Sequence, residues 1–225
     1  MEELSTIQKI VIMAPPLVFA IVLHEVAHGW VADRLGDHTA RDRGRLTLNP
    51  ISHIDLFGTI LMPLLLFLAT NGRMVFGYAK PVPINPYNFH DPKKGMALSS
   101  LAGPGINILM ALSFTVFLRL LLPLFEGMLP TGAWEWFARP LVLMFGYGVI
   151  INVVLAVLNL IPIPPLDGSR VVYWLLPDKP AAAYYRLEPY GMIVLLALLA
   201  FNILGKIIGP IIQPILSLLL GADIM

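Results

Sequence analysis

The sequence predicts an all-α polytopic membrane protein with about four to six transmembrane helices, a re-entrant segment and a short extended or β edge loop. Of the 225 residues, 57% are hydrophobic and only 13% are charged, whereas soluble domains carry about 25% charged residues. The mean hydropathy is +0.78, and several apolar runs approach the roughly 20 residues that cross a bilayer. These observations exclude a water-soluble globule. No polar stretch is long enough for a second domain, so we expect residues 1–225 to form one integral-membrane domain.

The first half of the chain predicts one crossing, one shorter apolar segment and one extended loop. The first helix covers about 7–34 and contains Pro15 and Pro16, which are expected to kink it or to mark its true start. The second apolar segment, about 57–69, is short for a crossing, so we expect it to enter and leave the membrane on one side. Residues 75–86 alternate and are rich in proline, which predicts an extended edge strand or loop.

The second half of the chain predicts further helices. Two long apolar segments lie at about 96–125 and 140–161 and are long enough to cross. A short amphipathic piece at 169–176 leads into a polar connector. The final apolar stretch, 190–220, is interrupted at Gly205–Lys206 and by two later prolines. It therefore predicts one crossing followed by a broken or surface helix.

A metal-binding motif lies inside the first apolar segment, where residues 24–28 are His-Glu-Val-Ala-His. On a helix, this H-E-x-x-H spacing places both imidazoles on one face, where they can bind one zinc ion beside the glutamate. The chain has no cysteine, so any metal must use His, Asp or Glu. Ionisable side chains within a membrane span are costly and usually functional. The alternative, a pair of structural core histidines, is therefore disfavoured.

A catalytic zinc needs a third protein ligand, and Asp167 is the best candidate. An extended form of the motif has a third histidine six residues after the second, but position 34 of this chain is an arginine. The glutamates that follow Glu25 lie on loops or on the polar connector. Asp167 instead lies in a proline-rich turn at the end of an apolar segment, where an unpaired carboxylate is unfavourable. The alternative is that Asp167 caps the helix that begins near Ser169.

The basic residues predict which side of the membrane each loop occupies. If Asp167 meets His24 and His28, the first and fourth segments run in the same direction and one net crossing separates them. The basic loops at 34–45 and 73–94 then share one compartment, which the positive-inside rule makes the cytoplasm. We therefore predict a multi-pass protein of the cell membrane with its metal site on the cytoplasmic side.

Four sequence elements together resemble the site-2 protease family of intramembrane zinc metalloproteases. Two of them carry most of the resemblance: the H-E-x-x-H motif and the string N-x-x-P-x-P-x-L-D-G at 159–168. The two weaker elements are G-P-G-I-N at 103–107 and G-Y-A-K-P-V-P at 77–83. Residues 1–225 resemble a minimal form, without the PDZ or CBS domain that many relatives carry.

The resemblance implies that His24, His28 and Asp167 bind one Zn²⁺ and that Glu25 is the general base. It also implies endoproteolysis of transmembrane proteins, commonly single-pass regulators, within the lipid bilayer. The catalytic core would cover about 7–176, followed by C-terminal helices at 190–220. Membrane lipids are the other expected partners and nucleic acid is not expected. Nothing in the sequence predicts the oligomeric state.

Two amides in otherwise apolar helices, Asn107 and Asn159, are candidates for stabilising the oxyanion of the reaction. Interhelical hydrogen bonding is the alternative role for both. The edge-like stretch at 75–82 is a candidate for pairing with an unwound substrate by strand addition. A plain amphipathic interfacial loop is the alternative there.

Two other functions use the same residues. A membrane carrier would pass a cation along His24, His28 and Asp167. That function has no need of Glu25 between the histidines, and the sequence shows no repeated halves of the kind found in many transporters. An inactive membrane scaffold is disfavoured because all the metal and base residues are present.

Overall fold

The computed structural model describes residues 5–70, 77–125, 132 and 134–221, which are mostly helical and contain no β-strand. The helices are α1 (Thr6–Arg34), α2 (Thr39–Asp42), α3 (Met62–Ala69), α4 (Pro92–Val116), α5 (Leu122–Phe125), α6 (Arg139–Asn159), α7 (Gly168–Leu175), α8 (Asp178–Tyr185), α9 (Glu188–Ala200) and α10 (Ile203–Leu220). Turns of π-helix precede α3 at Leu56–Leu61, join α4 to α5 at Phe117–Leu121 and precede α6 at Trp134–Ala138. Turns of 3₁₀-helix lie at Pro50–His53 and Pro86–Asn88.

Within the described residues, four helices are long and apolar enough to cross a membrane: Ile7–Arg34, Pro92–Leu120, Arg139–Asn159 and Ile203–Leu220. Two shorter apolar helices, Leu56–Ala69 and Glu188–Ala200, are below the length of a full crossing. The predicted all-α membrane fold is therefore confirmed. The re-entrant path of the segment at 56–69 stays a prediction.

The first helix begins earlier than its prolines suggest. Ser5 accepts a hydrogen bond from the main-chain N–H of Gln8, and the Gln8 side chain accepts one from the main-chain N–H of Ser5. This capping box satisfies two of the free donors at the helix start. The helix then runs through Pro15 and Pro16. The expectation that these prolines mark the true start of the helix is therefore wrong.

Two other predicted boundaries are wrong. The polar connector contains a helix of its own, Asp178–Tyr185. The C-terminal stretch breaks at Asn202, which adopts the left-handed conformation with φ of 54°, and not at Gly205–Lys206. Asparagine tolerates this conformation better than most residues. The last helix then continues through Pro210 and Pro214.

Three long helices, α1, α4 and α6, pack against one another and form the centre of the bundle, and α10 packs against α6. A cluster of buried apolar side chains joins α4, α6 and α10. Its members are Ala111, Leu118, Val149, Val153, Ile212, Leu216 and Leu220. After α6 the chain turns back, and α7 packs against α4. This turn brings Asp167 to the centre of the bundle.

Residues 77–82, which we call the edge segment, form neither helix nor strand. The main chain nevertheless pairs with its neighbours at alternate residues. Tyr78 N–H donates to Gly58 O at 3.0 Å, and Lys80 N–H donates to His53 O at 2.9 Å. The edge segment is therefore held along one side, as a strand would be. The first two residues of the predicted loop, 75 and 76, lie outside the described residues.

Candidate metal centre

The three predicted ligands lie together in the structure. His24 and His28 are one turn apart on α1, and both are buried. Their Nε2 atoms lie 3.2 Å and 3.3 Å from the same carboxylate oxygen, Asp167 Oδ2. The ligand atoms of the three residues all lie within 4.8 Å of one another. The first helix and the turn after α6 thus contribute to one site.

The environment of Asp167 fits a bound cation. Its Oδ2 atom is buried and has no hydrogen-bond donor among the described residues. Asp167 immediately precedes α7, but its side chain makes no capping hydrogen bond, so the capping alternative does not hold. A buried carboxylate oxygen without a donor is unfavourable unless a positive charge compensates it. Two imidazole nitrogens and one carboxylate oxygen form a donor set that zinc binds.

Both imidazole rings are oriented from behind by α4. His24 Nδ1 lies 2.5 Å from Asn107 Oδ1, and His28 Nδ1 lies 2.8 Å from the main-chain oxygen of Ser99. An oxygen acceptor at these distances requires the proton on Nδ1. In the neutral ring, this proton position leaves Nε2 unprotonated and facing the site, which is the form that binds a metal.

Asn107 and Asn152 form a chain of amides that links α1, α4 and α6, and both are fully buried. Asn107 Nδ2 donates to Asn152 Oδ1 at 2.8 Å and to Ala20 O at 3.4 Å. Asn152 Nδ2 donates to Gly148 O at 2.8 Å. Asn107 therefore has no amide hydrogen left for an oxyanion, and it lies behind His24. These contacts favour the interhelical alternative for Asn107 over its predicted oxyanion role.

Helix α4 approaches the imidazole rings closely because position 103 is glycine. A Cβ atom there would overlap the rings of both His24 and His28. Gly105, two residues further on, has open space at the same position. Gly103 therefore determines how closely α4 packs behind the ligands.

A pocket of about 510 Å³ opens beside the three ligands. Glu25 lines it, and Glu25 Oε2 accepts a hydrogen bond from the main-chain N–H of Val82 at 2.9 Å. Asn159 also lines the pocket, and its amide donates to Leu155 O at 3.0 Å. Its predicted oxyanion role stays a prediction. Much of the remaining wall is apolar or belongs to the edge segment, including Ala79.

Sequence comparison gives the family. The protein named "Putative zinc metalloprotease YwhC" from Bacillus subtilis is 41% identical over 182 residues, which cover 81% of this chain and 77% of that protein. This chain belongs to the site-2 protease family of zinc metalloproteases. No protein-family model and no solved structure matches the chain.

Two mycobacterial members of the site-2 protease family are more distant, and both are named "Putative zinc metalloprotease Rip2". The protein from Mycobacterium tuberculosis H37Rv is 29% identical over 179 residues, covering 80% of this chain and 62% of the relative. The protein from Mycolicibacterium smegmatis is 29% identical over 200 residues, covering 87% and 69%. Membership of this family makes zinc the cofactor and does not favour the carrier or scaffold alternatives.

Proposed function

We propose that the protein is an intramembrane zinc endopeptidase that cleaves peptide bonds in or near the transmembrane segments of membrane-protein substrates. The observation that carries this proposal is the convergence of His24, His28 and Asp167 at a pocket that Glu25 also lines. Helix α1, which is long enough to cross a membrane, carries both histidines. Helix α6, which is also long enough, leads directly to the turn that carries Asp167.

The chemistry divides between the metal and the side chains around it. His24 and His28 would hold zinc through Nε2, and Asp167 would hold it through Oδ2. Zinc, when bound, acidifies water and polarises a peptide carbonyl. Glu25 accepts the proton that the attacking water loses and then donates it to the leaving nitrogen. Asn159, at the wall of the pocket, is the remaining candidate for a hydrogen bond to the oxyanion.

The edge segment is the proposed site of substrate pairing. The peptide bonds of a transmembrane helix are hydrogen-bonded within the helix, so a substrate must unwind before it is cleaved. Tyr78 and Lys80 are paired on one side of the segment. In the part of the chain that the structure describes, Ala79 has no hydrogen-bond partner for its N–H or C=O, and it lines the pocket. An unwound, single-pass membrane protein can add there as a strand.

The proposed topology is multi-pass, with the site reached from the cytoplasm. One contact between the two basic loops supports it: Arg45 Nη2 donates to Lys80 O at 2.9 Å. The two loops therefore lie at the same end of the bundle. Because loops rich in Lys and Arg stay on the cytoplasmic side, this end is proposed to face the cytoplasm.

Glu25→Gln tests the proposed function. The substitution keeps the size of the side chain but removes its basicity, so we expect zinc to stay bound and cleavage to fall by about 10²- to 10⁴-fold. The measurement is zinc content and cleavage of a reconstituted single-pass substrate. That substrate is selected from the membrane proteins that accumulate when the gene is disabled.

Asp42→Asn is the matched control, because its carboxylate is exposed and lies outside the pocket. Undiminished cleavage by Glu25→Gln would contradict the general-base role. Loss of zinc from that variant would show that Glu25 is a ligand. Cation flux that depends on His24, without cleavage, would favour the carrier.

A further inference from the structure

The edge segment contains a pattern that strand addition does not explain. Pro81 and Pro83 flank Val82, and proline has no main-chain N–H. Val82 is therefore the one residue of these three that can donate a main-chain hydrogen bond. That hydrogen bond goes to Glu25 Oε2 at 2.9 Å, although the two residues are far apart in the sequence.

We propose that the main-chain N–H of Val82 is a positioning group for the general base. It fixes one oxygen of Glu25, and Oε1, which accepts no hydrogen bond from the described residues, is left for the proton transfer. A fixed carboxylate needs no reorientation before it reacts, and small misplacements of reacting groups are costly. This inference rests on the proposed function, because it takes Glu25 as the base.

Helix α1 holds Val82 at two points. Val82 is only 6% exposed, and its side chain packs against Gly29. A Cβ atom at Gly29 would overlap the side chains of Val82 and Leu46. Gly29 lies four residues after Glu25, on the same face of the helix. The helix that carries the base therefore also binds the side chain of the residue that orients it.

Charged side chains hold the main chain on both sides of Val82. Before it, Arg45 donates to Lys80 O at 2.9 Å and to Pro81 O at 3.4 Å. After it, the fully buried carboxylate of Asp37 accepts from Asn85 N–H at 2.7 Å. The donor to Glu25 is therefore held in place by contacts on both sides.

The arrangement has a kinetic consequence. Ala79, where a substrate strand is proposed to pair, lies three residues before Val82 on the same segment. The edge segment would therefore fix the position of the substrate main chain relative to the carboxylate of Glu25. Loss of the hydrogen bond from Val82 N–H to Glu25 should lower kcat. Loss of the proposed hydrogen bond from Ala79 N–H to the substrate should raise KM.

The test replaces single residues by their α-hydroxy-acid analogues, which exchange the main-chain N–H for an ester oxygen and keep the side chain. At Val82 we expect kcat to fall by about 10- to 100-fold, with KM and zinc content unchanged. The matched analogue at Ala79 should raise KM by about 2- to 10-fold, the value of one hydrogen bond, with kcat retained. An unchanged kcat in the zinc-loaded Val82 ester would overturn the proposal.

Hydrogen exchange provides a readout that does not depend on activity. The Val82 amide hydrogen should exchange slowly in the wild type and in Glu25→Gln, because the glutamine oxygen still accepts the bond. It should exchange faster in Glu25→Ala. Equal protection in Glu25→Ala would overturn the proposal even if the ester variant does not fold. Cleavage by Glu25→Gln would instead overturn the proposed function, so the two failures are distinguishable.

Discussion

Both histidines proposed to bind zinc are oriented by groups that a sequence motif does not include. Asn107 holds the His24 ring, and Asn152 holds Asn107. The main-chain oxygen of Ser99 does the same for the His28 ring. Groups that hydrogen-bond to ligand imidazoles fix the tautomer and raise the affinity for the metal. Of the two contacts to the rings, only that of Asn107 is made by a side chain, so it is the one that a substitution can remove.

Asn107→Ala is expected to weaken zinc binding by about 10- to 100-fold, because His24 loses the acceptor that keeps its proton on Nδ1. The measurement is competition with a chelator of known affinity on the purified protein. Ser113→Ala on the same helix is the control, since its exposed hydroxyl donates to Leu109 O within that helix. Equal zinc affinity in the two variants would contradict the orienting role of Asn107.

The sequence predicts the three residues that lie together at the candidate metal centre, but not the residues that position them. His24, Glu25 and His28 follow from a fixed spacing, and Asp167 follows from the unfavourable position of a carboxylate in an apolar turn. Asn152 carries the same signal as Asn159, an amide in an apolar helix, but its role depends on a partner 45 residues away. The Val82 contact spans 57 residues. Such pairs become visible only when the helices are packed together.

At the scale of elements, the site depends on how closely α4 packs behind α1. The approach is possible because Gly103 has no side chain, whereas Gly105 on the same helix faces open space. Hydropathy and proline positions predict that both helices exist, but they do not fix the distance between them. The sequence also does not predict the break at Asn202. A single asparagine in an apolar stretch gives a weaker boundary signal than Gly or Pro.

Gly103→Ala is expected to destabilise the protein by about 1–3 kcal/mol, the usual cost of overpacking, and to lower its zinc content. The added methyl group would overlap both ligand rings. Gly105→Ala adds the same methyl group where nothing lies within 4 Å, so it should be neutral or slightly stabilising. Thermal unfolding in detergent and metal analysis compare the two. Equal behaviour would show that the close approach of α4 does not matter.

The turn after α1 is joined to the loop after the edge segment by one carboxylate. Asp37 accepts hydrogen bonds from Thr39, Asn85 and Asn88. Burial alone would raise the pKa of Asp37, but these hydrogen bonds outweigh it and hold the pKa below its usual value. The ionised form is therefore bound more strongly in the folded state than in the unfolded state.

This lowered pKa predicts a pH dependence of stability. The contribution of Asp37 is fully present above its unfolded pKa of about 3.9, and it is lost as the pH falls through the lower folded value. We expect Asp37→Asn to cost about 1.5–3 kcal/mol near pH 7, as for a hydrogen bond to a charged group. The difference from the wild type should shrink below about pH 4. Thermal unfolding of both proteins between pH 7 and pH 3 measures it, and a constant difference would contradict the assignment.

At the scale of the whole molecule, family, fold and site agree on a membrane-embedded protease, and the orientation of the bundle is the property that the charges alone predict. The two basic loops meet where Arg45 contacts Lys80. If the segment at 56–69 is re-entrant, as predicted, it returns to the side from which it entered and leaves both loops on that side. A full crossing by that segment would place the loops on opposite sides of the membrane.

The chain has no cysteine, so single cysteines report the topology without background. Arg43→Cys lies in the first basic loop, Lys94→Cys lies in the first turn of α4 at the end of the second basic stretch, and Gly132→Cys lies between α5 and α6, where an added side chain meets open space. In intact cells, an impermeant maleimide should label Gly132→Cys and should reach the other two only after permeabilisation. Labelling of Arg43→Cys and Lys94→Cys from opposite sides would make 56–69 a true crossing.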